Sequence, residues 1–411
     1  MTPPPIRYRG REYRSPKVYT HGTHRSRPPH ETLASLRGLA RACGVTRVAH
    51  IDGLDRIGLP VVLGVRPNSW YLSVDSGKGL TREAAEVSAL MECLERHRAD
   101  TVRLDTRTAT VRQAAADFRT LDLGTLPPRR AALLDPTRPR RWAAGWDLVA
   151  DAEVWVPAEL VGNARPRHDP REPLDFQGGT NGLASGNDLA EAIASGLYEV
   201  VERDAIALAH LAARAGQAPR GVRLDTVADP LCRDAIARIE RARCEVLLFD
   251  RTSDTAVPAF EAVVRGRDGG TGSAAGYGCH LDPGVALLRA LLEAVQGRTI
   301  VVAGSRDDIF LPNYRLSREL DGEERRAAEE PWELQPCVRY PNASGSSAEA
   351  DVAALLARLR VVGLNSAVVI DLTPDGWPVS VVRVIVPGLE GYLLPSHAPG
   401  PRGRAVVGGG A

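Results

Sequence analysis

The amino-acid sequence predicts a globular protein of mixed helices and strands. Its 411 residues suffice for two or three domains, or for one large α/β body with lobes. Apolar residues make up 44% and charged residues 25%, which is typical of a folded chain rather than a disordered or fibrous one. Segments with helical periodicity alternate with short apolar runs bounded by glycine and proline. These observations together favour a mixed fold.

The predicted elements follow one another in a simple order. A basic, proline-rich arm, PPPIRYRGREYRSPK, is expected to be a solvated, loosely ordered lead-in, and ETLASLRGLARACGV after it is an amphipathic helix. The body then predicts strand pairs such as PVVLGVRP with WYLSVD and CEVLLFD with AVPAFEAVVRG, separated by long helices. The C-terminal tail, LPSHAPGPRGRAVVGGGA, is rich in proline and glycine and is expected to be unstructured in isolation.

Bulk properties exclude several functions. The net charge of +1 offers no field that would attract nucleic acid or an acidic membrane. There is no run of about 18 apolar residues, and the charged N-terminus is not followed by the apolar core of a signal peptide, so we expect a cytoplasmic protein without a membrane span. The six cysteines lie far apart without metal-binding spacing, which predicts reduced thiols.

Two segments carry the same polar pattern of a serine, two glutamates and an arginine. The first is Ser88, Glu92, Glu95 and Arg96 in SALMECLERH, and the second is Ser195, Glu199, Glu202 and Arg203 in SGLYEVVERD. On a helix each set forms one narrow stripe beside the apolar face. A third segment, ALLRALLEAVQ, has only Arg289, Glu293 and Gln296 as polar residues, again on one side.

These stripes predict a metal site. Most such stripes are solvated faces with weak ion pairs, but a carboxylate on an otherwise apolar helix is costly to bury unless a cation compensates it. The carboxylates here outnumber the arginines of the stripes. Mg²⁺ held by a few carboxylates together with phosphates is the usual arrangement in an ATP site. We therefore predict that the three helices enclose a Mg²⁺–nucleotide site.

Glycine-rich segments precede the three helices, in SGKG, GGTNGLASG and GYG. Interpreted as turns, they could present backbone N–H groups to an anion, although such turns are more often simple connections. SGKGLT departs from the phosphate-loop pattern because Leu72 stands where the first glycine is required, which disfavours a Walker-type ATPase. Lys78 is one of only two lysines in the chain, which fits either a point-charge role or chance.

Three motifs in order, GKGLTREAAEVSALMECLER, TNGLASGNDLAEAIASGLYEVVERD and ALLRALLEAVQGR with GSRDD beyond it, resemble the YcaO family. The resemblance implies an α+β, YcaO-type fold with three related glycine-turn and helix units around an ATP site. It divides the chain into the arm and first helix (1–44), a YcaO catalytic domain (45–390) and the tail (391–411). It also implies an enzyme that uses ATP and Mg²⁺ to phosphorylate the oxygen of a peptide backbone amide, in the biosynthesis of modified ribosomal peptides (RiPPs) or in protein modification.

The resemblance assigns expected roles to the residues that match the family's motifs. The expected Mg²⁺ ligands are Glu92, Glu95, Glu199, Glu202 and Glu293. The expected nucleotide contacts are Ser88, Asn181, Glu191, Arg203, Arg289 and Gln296, with Lys78 as a further candidate and Arg25 of the arm as the early basic residue that meets phosphate. No catalytic side chain stands out, because His210, His280 and Cys279 are expected in the core or in loops.

The resemblance leaves the product of the reaction open. Azoline-forming relatives often end in Pro-x-Pro-x-Pro, whereas here Pro395, Pro399 and Pro401 are followed by RGRAVVGGGA. The segments VTRVAHIDGLDRIGLPVVLGVRPNS and VVRVIVPGLEG look more like YcaO proteins that work beside a TfuA partner in thioamide formation. We therefore expect thioamidation of a peptide or protein substrate with a TfuA-like partner, which would deliver sulfur or recognise the substrate. The alternatives are an azoline-forming cyclodehydratase and a non-catalytic accessory factor for methylthiolation of a ribosomal protein, and a homodimer is implied by the resemblance alone.

Overall fold

The computed structural model describes residues 3–130, 134–162, 173–176, 178–267, 272–310, 334–391 and 396–408. Within these ranges the α-helices are α1 (Pro29–Ala42), α2 (Arg82–Thr101), α3 (Val111–Asp117), α4 (Leu189–Arg214), α5 (Pro230–Arg241), α6 (Pro283–Ala303), α7 (Ala348–Val361) and α8 (Pro401–Gly408). None of the helices that the structure describes combines the length and hydropathy that a bilayer crossing requires.

The strands form antiparallel sheets. A hairpin in the arm pairs β1 (Ile6–Tyr8) with β2 (Arg11–Tyr13), and a sheet of three strands contains β3 (Arg47–His50), β4 (Val61–Val65) and β5 (Val74–Lys78). The largest sheet contains β6 (Thr106–Ala109), β7 (Arg140–Asp147), β8 (Ala152–Pro157), β9 (Leu183–Gly186), β14 (Val368–Asp371) and β15 (Ser380–Ile385). A further sheet contains β10 (Gly221–Val222), β11 (Cys244–Asp250), β12 (Ala259–Gly266) and β13 (Ser273–Cys279). The predicted strands at β11 and β12 are antiparallel neighbours, and the mixed fold class is confirmed. The predicted partner of β4 is WYLSVD, whereas the strand β5 that pairs with β4 begins at Val74 and shares only the last two residues of that segment.

Three helices, α2, α4 and α6, follow the strands β5, β9 and β13 and pack against them. Each helix begins at a side chain that accepts a hydrogen bond from its first turn, namely Thr81, Asp188 and Asp282. Helix α2 also contacts β9, α4 contacts β13, and α6 contacts β5, so the three pairs form a closed ring. This ring brings the striped faces of the three helices to one place. That the three pairs are related repeats stays a prediction.

Two of the segments predicted as glycine turns are strands instead, whereas Gly182 before β9 does lie in a turn, with φ +74°. Gly77 lies within β5, and Gly276 lies within β13. A Cβ at Gly77 would lie 2.1 Å from the backbone N of Ala89, and one at Gly276 would lie 2.1 Å from the backbone N of Ala294. The glycines are needed because each strand runs directly against the backbone of its helix, a separation that only a residue without a side chain allows.

The two ends of the chain are more ordered than their composition predicts. The arm is not a solvated lead-in, because Ser15 N donates to Glu349 at 2.9 Å and Lys17 Nζ donates to Asp351 at 2.5 Å. In the tail, helix α8 contacts α4, and Arg402 forms an ion pair of 2.9 Å with Asp204. In both cases polar contacts to the distant body supply the order that the local sequence lacks.

Replacing Gly276 with Ala is expected to lower the free energy of unfolding by about 1–3 kcal/mol or more, because the new Cβ must push β13 away from α6. The matched control is Gly38→Ala on the exposed side of α1, where nothing lies within 4 Å of the added Cβ. There the same substitution is expected to stabilise the protein by about 0.5–1 kcal/mol through helix propensity. Urea unfolding followed by circular dichroism measures both, and equal effects would contradict the proposed contact.

Candidate active site

A single cavity of about 280 Å³ collects most of the predicted site residues. Its walls come from the arm, from the strand end before α2, and from α2, α4 and α6. The predicted residues that line it are Arg25, Lys78, Ser88, Glu92, Glu95, Glu191, Glu199 and Arg289. Both lysines of the chain, Lys17 and Lys78, lie in this wall.

The other predicted residues do not line this cavity. Lys78 Nζ donates to Glu293 Oε2 at 2.6 Å, which ties Glu293 to the wall, and Glu202 lies beside Arg203 at 3.7 Å. The amide of Gln296 is occupied, because Nε2 donates to Ser76 Oγ at 2.8 Å.

Asn181 lies apart from this group, against a smaller second cavity that it shares with Arg383. Its backbone oxygen accepts a 2.8 Å hydrogen bond from Arg383 Nη1. Its side-chain oxygen is buried and has no hydrogen-bond partner within the described ranges. Asn181 therefore needs a side-chain partner that these ranges do not supply.

The carboxylates of the cavity differ in how their charge is balanced. Glu92 forms an ion pair of 3.0 Å with Arg96, which also pairs with Asp75 at 2.6 Å. Glu95 accepts a hydrogen bond of 2.5 Å from Ser185 Oγ. Among the residues described, neither Glu95 nor Glu199 has a cationic group within ion-pair distance. Two carboxylates of one cavity thus face each other's charge without a direct counterion.

Burial, together with this imbalance, raises the pKa values of Glu95 and Glu199. Burial raises the pKa of Glu199 to about 7, with Glu202 and Glu92 raising it further and Arg203 opposing them. Burial likewise raises the pKa of Glu95 well above its ordinary value, and the charge of Glu92 adds to that effect. Burial would also raise the pKa of Glu293, but Lys78 and Arg203 outweigh it and bring the pKa below its ordinary value.

Arg289 of the cavity has an N–H group that lacks an acceptor in the part of the chain that the structure describes. The Nε of Arg289 is buried and has no hydrogen-bond partner among the described residues. Arg25 lies 3.7 Å from Glu191, which also accepts hydrogen bonds from Ser26 N and Oγ at 2.8 and 2.7 Å. The buried Nε–H of Arg289 favours an anionic acceptor, since a buried N–H that stays unpaired costs free energy.

Several residues of the cavity wall escaped the sequence analysis. They are Lys17 and His24 of the arm, Ser185, Tyr198 and Asp351. His280 and Cys279, expected in the core or in loops, also line it. Only the scarcity of lysine pointed to Lys17, because the others belong to no repeated pattern and meet through contacts far apart in the chain.

Comparisons with known proteins place the chain in a family. Residues 76–390 match the family model described as YcaO cyclodehydratase, ATP- and Mg²⁺-binding. The chain belongs to the YcaO family. This YcaO protein is therefore an ATP-dependent, peptide-modifying enzyme, and the predicted cofactors, ATP and Mg²⁺, are confirmed at the level of the family.

Relatives of this YcaO protein support the assignment. It is 37% identical over 387 residues to an uncharacterized protein in the tfuA 3′ region of Rhizobium leguminosarum bv. trifolii, which covers 88% of this chain and 87% of the relative. An uncharacterized protein of Methanothermobacter thermautotrophicus is 34% identical over 395 residues, covering 92% and 98%. The structure of YcaO from Methanopyrus kandleri bound with AMPPCP and Mg²⁺ matches with a TM-score of 0.72 and 26% identity, over 92% of this chain and 96% of that one. A heterocyclase in complex with substrate and cofactor shares the fold, with a TM-score of 0.73 and 23% identity over 94% of this chain and 55% of that one.

The cavity suits a magnesium–polyphosphate group on its own chemistry. Glu95 and Glu199 lack counterions, and oxygen ligands of this kind are those that Mg²⁺ prefers. Arg289 offers an unpaired N–H to an anion. A cation bound to phosphate would give the two carboxylates a counterion and give the Arg289 N–H an acceptor. Within the described residues these groups do not pair with one another instead.

The pKa of Glu199 predicts how pH affects the stability of the nucleotide-free protein. Because the pKa rises from 4.5 to about 7 on folding, the native state binds more protons, and stability is expected to fall as pH rises from about 4.5 to 7. Glu199→Gln is expected to remove this part of the pH dependence and to stabilise the protein above pH 7 by at most about 3 kcal/mol. Urea unfolding over this pH range measures the difference. Glu31→Gln, on an exposed side chain, is the control, and parallel wild-type and Glu199→Gln curves would contradict the assignment.

Proposed function

We propose that this YcaO protein phosphorylates the oxygen of a peptide backbone amide at the cavity and converts the amide to a thioamide with a TfuA-like partner. The observation that carries the proposal is the set of unpaired groups in one cavity, where Glu95 and Glu199 have no cation at ion-pair distance among the described residues and Arg289 Nε has no hydrogen-bond acceptor there. A non-catalytic accessory protein has no need to maintain both, since each is costly to keep buried.

The carboxylates of the three helices would hold Mg²⁺. The ligands that we assign are Glu92, Glu95, Glu199, Glu202 and Glu293. Since Lys78 holds Glu293 at 2.6 Å and Arg96 holds Glu92 at 3.0 Å, each of these cations would release or share its carboxylate when Mg²⁺ binds. Bound Mg²⁺ would neutralise the triphosphate and orient the γ-phosphoryl group toward the amide oxygen.

The nucleotide would be positioned by the remaining predicted residues. Arg289 and Arg25 would donate to phosphate oxygens, and Ser88, Asn181, Glu191, Arg203, Gln296 and Lys78 complete the assigned contacts. Glu191 is already fixed by Ser26 and by Asn187, whose Nδ2 donates to Glu191 at 3.2 Å. The protein therefore contributes orientation and electrostatics rather than a covalent intermediate.

Thioamide formation is the product that we propose because of the relative in the tfuA 3′ region, which is 37% identical to this chain. That location suggests a TfuA-like protein as the partner. In such a reaction a sulfide-class nucleophile adds to the activated amide carbon, and the phosphate then leaves with the original oxygen. Azoline formation would instead use a side chain of the peptide as the nucleophile.

The nucleotide site is tested by calorimetric titration of the protein with ATP in the presence of Mg²⁺. Loss of an outer-shell partner alone typically costs about 10–100-fold in metal affinity, so Glu199→Gln with Glu202→Gln is expected to weaken binding by about 100-fold or more. The control, Glu240→Gln at an exposed position of α5, should bind as the wild type does. Absence of binding by the wild type would refute the proposed site.

The product is tested by incubating the protein with ATP, Mg²⁺, sulfide, a TfuA-like protein and candidate peptides, followed by mass spectrometry. We expect a mass gain that matches replacement of oxygen by sulfur, dependent on both ATP and the partner. A loss of water without added sulfur would identify the azoline-forming alternative. ATP binding without any peptide product under all conditions would favour the accessory role.

A further inference from the structure

A second group of polar side chains adjoins the same cavity and has no part in the site assigned above. It consists of Lys17, His24, His280, Ser344 and Asp351, here called the histidine cluster. His24, His280 and Asp351 each bring a potential ligand atom within 4.8 Å of the others, a spacing that a metal ion could use. A metal site is therefore the first interpretation of the histidine cluster to test.

The hydrogen bonds of Asp351 argue against a metal there, because both of its oxygens already have partners from the chain. Its Oδ1 accepts from Gly345 N at 2.8 Å and from Ser344 Oγ at 3.2 Å. Its Oδ2 accepts from Lys17 Nζ at 2.5 Å and from Tyr198 Oη at 2.8 Å. A carboxylate has about four acceptor positions, and all are filled. The ammonium group of Lys17 thus occupies the place that a cation would take.

A count of hydrogen-bond donors and acceptors also assigns the tautomer of His24. Ser344 has one hydroxyl proton, which it donates to Asp351, so its oxygen can only accept from other groups. It accepts from Lys17 Nζ at 2.6 Å and lies 3.2 Å from His24 Nδ1. The Nδ1 of a neutral His24 must then carry the ring proton. Its Nε2 is left with an unshared electron pair.

His280 is held in the opposite tautomer. Its Nδ1 accepts a hydrogen bond from Asp282 N at 2.9 Å, so the ring proton lies on Nε2. That Nε2 is 3.9 Å from Asp351 Oδ2, which is too long for a hydrogen bond. The ring stacks on Tyr198 with centroids 4.4 Å apart, and the ring of His24 lies 4.9 Å away. Side by side, the two imidazoles offer one acceptor and one donor.

The surroundings keep both imidazoles neutral and prepare one of them to accept a proton. Burial lowers the pKa of His24, and the charge of Lys17 adds to this effect. Burial also lowers the pKa of His280 well below its ordinary value. The charged or titratable groups that face His24 are Lys17, Arg25, Asp282, Asp351 and His280. Among them, Asp282 Oδ2 lies 3.9 Å from His24 Nε2 and would stabilise an imidazolium there.

We propose that the histidine cluster receives the peptide amide that this enzyme activates, and that His24 Nε2 is the base that takes the proton of the amide nitrogen. A backbone amide offers an N–H to His24 Nε2, and a carbonyl oxygen of the peptide accepts from His280 Nε2–H. This inference rests on the proposed function, because it places the acceptor beside the nucleotide in one cavity.

The proton transfer balances the activation step. The amide oxygen forms a bond to the γ-phosphorus, and the bond from that phosphorus to the β–γ bridging oxygen breaks, with its electron pair leaving on ADP. The N–H bond of the amide breaks, its electrons form the C=N bond, and the proton moves to His24 Nε2. When a sulfide-class nucleophile adds to the carbon, the nitrogen takes this proton back and the C=N bond becomes single.

His24→Asn isolates the proposed base. The asparagine amide can still donate to Ser344 in place of Nδ1–H, but it carries no group at the position of Nε2. With a pool of blocked tripeptides of varied central residue as the probe, peptide-dependent ADP formation is expected to fall by about 100-fold or more. The decline of the wild-type rate toward acidic pH is expected to disappear with it. His30→Asn, at an exposed position on α1, is the matched control.

Nitrogen-15 NMR of histidine-labelled protein tests the tautomers independently of any peptide. We expect a neutral His24 protonated on Nδ1 and a neutral His280 protonated on Nε2 at neutral pH, with assignments from single variants. A proton on Nε2 of His24, or unchanged turnover and pH profile in a folded His24→Asn, overturns the proposal. Absence of Mg²⁺–ATP binding by the wild type would instead refute the proposed function. Failure of the proposed base and failure of the proposed function are therefore distinguishable.

Discussion

The burial of carboxylates on helices that are otherwise apolar is the constraint on which the site depends. Helix α4 illustrates it, since Glu202 is 3% exposed among the buried residues Val200, Val201 and Ala205. Arg203 and Lys78 offset part of the resulting repulsion, but Glu95 and Glu199 keep no direct counterion in the described structure. The residues of the site therefore carry more negative than positive charge at these positions. Burial and the neighbouring carboxylates together raise the pKa values of Glu95 and Glu199.

Concentrating this charge requires close packing of backbone on backbone. The strands β5 and β13 run against α2 and α6 at glycine, which removes the side chains that would hold strand and helix apart. Because each helix also contacts the strand of another pair, a shift of one helix would move the carboxylates of all three. The positions of the carboxylates on the three helices are thus set by the packing of the ring.

The cavity has two kinds of wall with different chemistry. The helices contribute carboxylates and Arg289, which need partners from outside the chain. The arm contributes Lys17 and His24, whose partners come from the chain itself through Ser344 and Asp351. These hydrogen bonds fix Asp351 and Ser344, and the contacts of the two Nδ1 atoms leave two imidazoles in defined tautomers at the edge of this network. We infer that the first wall binds the nucleotide and the second meets the peptide.

The sequence by itself determined the mixed fold, the paired strands, the helices and the carboxylate stripes. It could do so because helical periodicity and strand alternation are local properties, visible within one short segment. The stripes also indicated where charge would be buried, since apolar residues around Glu199 and Glu202 favoured burial over a solvated face. The order of the three motifs can also be read directly from the sequence, and it indicated the family.

Only the tertiary structure decided which distant residues complete the site. Lys17 and Asp351 are 334 positions apart, and their contact follows from where the arm crosses the body. Glycines predicted as turns became packing surfaces because their role depends on the helix that lies against them. Gln296 shares a stripe with Glu293 yet donates to Ser76, since a helical position fixes a direction and not a partner. Partners across the fold depend on how sheets and helices meet, and no local periodicity records that.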